Sequence, residues 1–130
     1  MSEAQEIIAV IKDVIGEVDL PICVAVIDNE GFELFSSSGC THMEGAGEMN
    51  VLGIMAYESI NEQVTGRTSN SVDLMIFRVG AETFFVAPVI EDLFLVANSD
   101  LTRLGHILPL LEGLRTQMAF KIDRLRKGGV

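Results

Sequence analysis

At 130 residues and 14.1 kDa the chain has length for one domain with a single core and none for a second. Hydrophobic residues make up 48% and mean hydropathy is +0.38, which excludes a disordered chain, while 22% charged residues suit an ordinary soluble domain. A formal charge of -10 and a pI near 4.5 set the molecular field against phosphate backbones and anionic membrane surfaces, so neither nucleic acid nor a membrane is an expected partner.

The charge is unevenly placed. Residues 1–66 carry -11 and residues 67–130 carry +1, with Lys121, Arg124, Arg126 and Lys127 clustered near the end. A local excess of acid suits a surface that faces a partner. The start, Met1 to Glu6, lacks the basic region and apolar run of a signal peptide, and no apolar stretch approaches the roughly 20 residues that span a bilayer. A soluble, cytoplasmic protein without membrane insertion is expected. Cys23 and Cys40 have neither CxxC spacing nor the density of a disulfide scaffold, so both are expected as reduced thiols.

In chain order, Ile7, Ile8, Val10, Ile11, Val14 and Ile15 recur at helical spacing between charged residues, which predicts an amphipathic helix over 2–16. Ser2 with acids after it suits the N-cap, and Pro21 forbids continuation. Residues 22–27 are apolar throughout and predict a central strand. The turn Asp28-Asn29-Glu30-Gly31 then leads to a more polar edge strand over 32–38, completing a hairpin. Gly39 to Gly47 reads as a loop.

A second helix is predicted from about Ala46 to Val64. At about 100° per residue, Met49, Leu52, Gly53, Ala56, Ile60 and Val64 share a stripe able to pack on a sheet, where Gly53 and Ala56 permit close approach. Val51, Ile54 and Met55 fall elsewhere, among Glu58, Asn61 and Glu62, and would be exposed in a monomer; such patches mark contact with another chain. Strands over 72–79, 83–90 and 93–98 follow in meander order. Their consecutive apolar positions require cover on both faces of an antiparallel sheet. Pro88, lacking a donor, belongs at a strand end or bulge. Residues from about 103 to 127 predict a long amphipathic helix, in which Pro109 sits in the first turn after an irregular lead-in or kinks the helix. The order is α-β-β-α-β-β-β-α, without internal repeats.

Catalytic and metal chemistry finds little support. His42 and His106 stand outside protease and nucleophile motifs, and Cys40-Thr41-His42 supplies two ligands with no source for the rest of a tetrahedral site. Gly45-Ala46-Gly47 before a helix is like a phosphate-cradling turn but lacks the third glycine and the P-loop lysine. Ser36-Ser37-Ser38 has no neighbouring base and reads as a polar strand end, and Asp28 reads as a turn residue. Arg67, Arg78 and Arg103 can reach a nucleotide on a partner, although surface salt bridges are the simpler assignment. No catalytic residue, metal ligand or cofactor is assigned.

With helix, Val24-Ala25-Val26-Ile27-Asp28-Asn29-Glu30-Gly31-Phe32-Glu33-Leu34, helix, a meander containing Val86-Ala87-Pro88-Val89, and Asp100-Leu101-Thr102-Arg103-Leu104-Gly105 before a terminal helix, the chain resembles the roadblock/dynein light chain family. These words are short; their order and spacing carry the resemblance across nearly the whole chain. Pro109 departs from the uninterrupted helix expected there.

The resemblance implies an α/β fold of α+β type over residues 1–130. In this profilin-like three-layer α/β/α sandwich, one helix lies on one face of a five-stranded antiparallel sheet and two on the other. It further implies a homodimer made by edge-to-edge pairing of third strands, through Asp73, Met75, Phe77 and Val79, and by side-by-side second helices, through Val51, Ile54, Met55, Glu58 and Glu62. Family members scaffold and regulate Ras-like small GTPases, among them a bacterial polarity protein that activates hydrolysis and the lysosomal Ragulator complex. The expected function is accordingly a non-catalytic dimeric regulator of a small GTPase. A subunit of a motor-like or signalling assembly without GTPase contact is the alternative. A small-molecule sensor, which requires a sizeable cavity between sheet and helix, comes third.

Overall fold

The computed structural model describes residues 2–16, 22–37, 46–90 and 92–128, with the side chains of all but 46 and 100–107. The elements run α1 (Glu3–Gly16), β1 (Cys23–Asp28), β2 (Glu33–Ser36), α2 (Ala46–Arg67), β3 (Met75–Val79), β4 (Glu82–Ile90), β5 (Leu93–Asp100) and α3 (Leu101–Arg126), the order expected from the sequence. Five strands form one sheet, β2-β1-β5-β4-β3, antiparallel at every junction.

Local chemistry explains the boundaries. Ser2 and Gln5 cap α1 reciprocally: Gln5 N donates to Ser2 Oγ at 3.2 Å and Ser2 N donates to Gln5 Oε1 at 3.1 Å. In the β1–β2 turn, Asp28 Oδ1 accepts from the N–H groups of Glu30 and Phe32, both at 2.9 Å, and Gly31 takes φ +94°, a backbone favouring glycine. Asp28 is therefore a turn former. At the end of β2, Val24 N donates to Ser37 Oγ at 3.1 Å, so that hydroxyl finishes the hairpin. Pro88 pairs with Phe94 beside a register shift between Pro88 and Ile90, as a residue without a backbone donor requires.

Two apolar layers hold the molecule together. Ile7, Ile11, Val14 and Ile15 of α1 and Leu111, Leu114, Met118 and Ile122 of α3 bury against one face of the sheet, which contributes Val24, Val26, Phe85, Ala87 and Leu95. The opposite face offers Ala25, Ile27, Val86, Phe94 and Val96 to Ile54 and Tyr57 of α2. The arrangement is thus three layers, and alternate residues of each central strand enter different cores. That is why these strands are apolar at consecutive positions. Burial of each large side chain contributes about 1.5–3 kcal/mol.

Three expectations require correction. Helix α3 runs from Leu101 through Pro109, so of the two placements expected for that proline the first-turn one is corrected. Proline removes one helical hydrogen bond there, and packing of the apolar stripe from Leu111 onward supplies the compensating stability. Cys23 is disulfide-bonded, not a free thiol; sequence spacing tests for multi-bridge frameworks, whereas a single bridge needs only two Cβ atoms about 4 Å apart in space. Cys40, the chain's other cysteine, lies outside the described residues. Finally, β3 begins at Met75, three residues after the predicted start at 72.

The basic cluster at the end of α3 is largely engaged within the molecule. Arg126 Nε meets Glu3 Oε1 at 3.2 Å, tying α3 to the start of α1; Lys127 Nζ meets Asp123 Oδ2 at 3.0 Å; and the Arg124 guanidinium lies 5.6 Å from the Phe120 ring centre. Among the described residues, no helix is long and apolar enough to cross a membrane.

Candidate functional site

Helix α2 and the neighbouring strand β3 carry the features that distinguish this surface. The helix approaches the sheet closely because residue 53 is glycine: a Cβ there would lie 2.8 Å from Phe77 Cε1 and 2.9 Å from Val86 Cγ2. Next to this contact Ile54 and Tyr57 enter the core, and the Tyr57 ring meets Phe94 edge-on with centroids 5.6 Å apart.

Two side chains of α2 then capture the segment leading to β3. Tyr57 Oη donates to the carbonyl of Val72 at 2.8 Å, and Val72 N donates to Asn61 Oδ1, also at 2.8 Å. Both backbone groups of Val72 are satisfied by the helix instead of by a strand, which is why β3 starts late. Burial of the Tyr57 phenol pushes its pKa above the ordinary 10.0; the Asp73 and Glu58 carboxylates act in the same direction, against Arg115.

The outward side of α2 is apolar at three large residues. Leu52 is 53% exposed, Met55 59% and Ile60 45%, with Glu58 and Glu62 exposed around them. This departs from the expected helix orientation. Ile54, expected on the outer surface, is only 2% exposed and belongs to the core under α2. Val51 is half-buried beneath the β1–β2 turn, where a Cβ on Gly31 would lie 3.2 Å from Val51 Cγ2. Leu52 and Ile60, expected against the sheet, face outward, while the buried line runs Asn50, Gly53, Ile54, Tyr57. The difference is one residue, or about 100° of rotation. Apolar residues surround α2 almost evenly, so periodicity alone cannot choose a face; the wide ring of Tyr57 and the close contact at Gly53 decide it.

Strand β3 is an edge. It pairs with β4 through Met75↔Val86, Phe77↔Phe84 and Val79↔Glu82, and among the described residues its other side has no strand neighbour. Met75 and Phe77 pack toward α2, and Phe77 stacks on Phe84 at 5.2 Å with planes 11° apart. Val79 is half-buried. Asp73 is exposed and precedes the strand, so of the four residues assigned to it, Met75, Phe77 and Val79 lie within β3.

Other sequence candidates do not converge on a site. Cys40, Thr41, His42 and Gly45 lie outside the described residues, as does the side chain of His106. Ala46 and Gly47 are already helical. Arg67 donates to Gln63 Oε1 at 3.4 Å and Arg78 to the carbonyl of Gly80 at 3.3 Å, bonds to neutral groups in place of the expected salt bridges; the side chain of Arg103 is outside the described residues. Among the described residues, no three His, Cys, Asp or Glu side chains are grouped to hold a metal ion.

The architecture matches solved structures over nearly its full length. MglB of Myxococcus xanthus superposes with a TM-score of 0.70 at 14% identity, covering 96% of this chain and 93% of that one. This is a Roadblock/LC7-type fold. An MglB structure with a tetrameric arrangement gives a TM-score of 0.67 at 14% identity, with coverage of 92% and 90%. A Roadblock/LC7 domain from Streptomyces avermitilis gives 0.57 at 12%, with coverage of 92% and 93%. By sequence, no family model and no curated protein matches the chain. The Roadblock/LC7-type fold is thus shared through its packing pattern at identities where few individual side chains coincide.

Proposed function

We propose that this chain is a homodimeric scaffold that binds a Ras-like small GTPase and modulates its GTP cycle, acting in the cytoplasm as one roadblock-type domain over residues 1–130 without an active site of its own. The observation that carries this reading is the combination of three large exposed apolar residues on the outward half of α2, Leu52, Met55 and Ile60, with the edge of β3 beside the same helix. Singly exposed apolar residues are ordinary in monomers, but three large ones on the outward half of one helix, next to a strand edge, fit a surface that another chain covers.

Pairing of two β3 edges through Met75, Phe77 and Val79 would continue the sheet and set two α2 helices side by side, covering Leu52, Met55 and the exposed part of Val51. Ile54 takes no part, because its own core consumes it. Glu58 and Glu62 then offer negative charge on the docking face, suited to a partner with a basic surface. The tetrameric arrangement of MglB supports self-association, and the family resemblance supports a GTPase as the partner.

Size-exclusion chromatography with light scattering, followed by GTP turnover of a Ras-like GTPase from the same organism, tests both parts. The native chain is expected to run as a dimer and to alter turnover, and Leu52→Glu with Met55→Glu to run as a monomer and lose that effect. A native chain that is monomeric and leaves every such GTPase unchanged overturns the proposal. A dimer that recovers partners but no GTPase favours the assembly-subunit alternative.

A further inference from the structure

Between the first turn of α2 and the β1–β5 part of the sheet lies a cavity of about 180 Å³, lined on its apolar side by Ala25, Ile27 and Val96. Its polar groups are Asn50 of α2, Asn98 of β5 and, from β2, Glu33. Asn50 is only 5% exposed, and among the described residues its Oδ1 is buried without a hydrogen-bond partner. Turning the amide over would instead place its nitrogen there, so the head group calls for an external partner in either orientation. Asn98, by contrast, is already engaged: its Nδ2 donates to Glu82 Oε2 at 3.1 Å.

Gly47 also lines the cavity, so the start of α2 faces it. A first helical turn presents N–H groups without intrahelical acceptors and the positive end of the helix dipole. The cavity therefore asks for positively charged N–H donors, through the Asn50 amide oxygen and the Glu33 carboxylate, and at the helix start for an anionic oxygen, while the apolar wall accepts a short aliphatic body. At roughly 30 Å³ per water molecule, the volume corresponds to about six waters. A molecule of that size meeting all three demands is a zwitterion with a small side chain.

We propose that this cavity binds a small α-amino acid, with its ammonium group on Asn50 Oδ1 near Glu33 and its carboxylate at the first turn of α2. The site lies under α2, away from the outward face of Leu52 and Met55, and does not depend on the GTPase reading.

The test is a titration of the 15N-labelled full chain with glycine, L-alanine and L-serine, each to about 10 mM, followed by amide chemical shifts. A ligand this small is expected to bind with a dissociation constant on the order of 1 mM. Saturable shifts should be confined to residues 25–27, 47–50 and 96–98 and to the Asn50 side-chain amide. Methylammonium and acetate, each carrying half of the recognition chemistry, should bind at least about tenfold more weakly. Asn50→Leu should abolish the shifts, and Glu33→Gln, an exposed substitution that leaves the core intact, should weaken binding severalfold. The proposal is overturned if none of the three amino acids gives a saturable shift, if methylammonium or acetate binds equally well, or if Glu33→Gln and Asn50→Leu both bind as the native chain does. None of these readouts involves a GTPase, so failure here leaves the proposed function untouched.

Discussion

Replacement of Gly53 by alanine probes how α2 sits on the sheet. The added Cβ would stand 2.8 Å from Phe77 Cε1 and 2.9 Å from Val86 Cγ2, about 1 Å inside the usual 3.5–4.0 Å carbon contact. Val86 is fully buried and cannot withdraw, and Phe77 is restrained by its stack on Phe84. The helix must therefore lift, loosening Ile54 and Tyr57 with it. Overpacking of this kind costs about 1–3 kcal/mol, against a gain of about 1 kcal/mol from exchanging glycine for alanine in a helix. The net expectation is a loss of up to about 2 kcal/mol, or a fall in Tm of several degrees for a domain of this size. Gly113→Ala in α3 is the internal control. No atom lies within 4 Å of its added Cβ, so only the propensity gain remains and the protein should become more stable by about 0.5–1 kcal/mol. Urea denaturation of both variants at two protein concentrations measures this while separating any effect of dimerisation. A Gly53→Ala protein as stable as the Gly113→Ala one would refute the close docking of α2.

Further expectations follow from the same contacts. Ile54→Ala should cost about 2–5 kcal/mol as a cavity in the core, whereas Met55→Ala should change monomer stability by no more than about 0.5 kcal/mol; equal effects in denaturant titrations would contradict the helix orientation described above. Tyr57→Phe removes the donor to the Val72 carbonyl and should cost about 1 kcal/mol at neutral pH. Because the folded-state pKa of Tyr57 is raised, the folded state holds its proton more tightly than the unfolded state: the contribution of this group to stability is constant below its unfolded value of 10.0 and is lost as pH rises above it. Tyr57 is the sole tyrosine, so absorbance titration reports it directly, and the alkaline loss attributable to it should be missing in Tyr57→Phe. The exposed pair of Arg126 and Glu3 should contribute less than about 1 kcal/mol, and Arg126→Ala should differ from the native chain less in high salt.

Much of the architecture was legible in the sequence because burial leaves a local periodic trace. Ile7, Ile11, Val14 and Ile15 specify one face of α1, and the unbroken apolar runs of β1, β4 and β5 require a sheet covered on both sides. Asp28 and Gly31 encode their turn through a side-chain oxygen and a permitted backbone angle, and Ser2 encodes the start of α1. Each depends on residues a few positions apart, which is the range over which sequence spacing and spatial position coincide.

The candidate surfaces were legible only in outline. An acidic helix with surplus apolar residues was evident, but its outward side was not, since apolar groups encircle α2 and either of two stripes would satisfy the spacing rule. Gly53 meeting Val86 and Phe77, and Tyr57 reaching Val72, selected the orientation, and with it the burial of Ile54 and the exposure of Leu52 and Ile60. The same rotation placed Asn50 over the cavity, where a polar residue one turn before Gly53 and Ile54 was the only sign in the chain. The late start of β3 and the disulfide at Cys23 likewise depend on groups brought together by the fold. The sequence by itself determined which elements form, in what order and with how many covered faces, because those are properties of local pattern. Only the tertiary structure decided which face of α2 meets the sheet and which meets solvent, because that choice is made by contacts between residues fifteen or more positions apart.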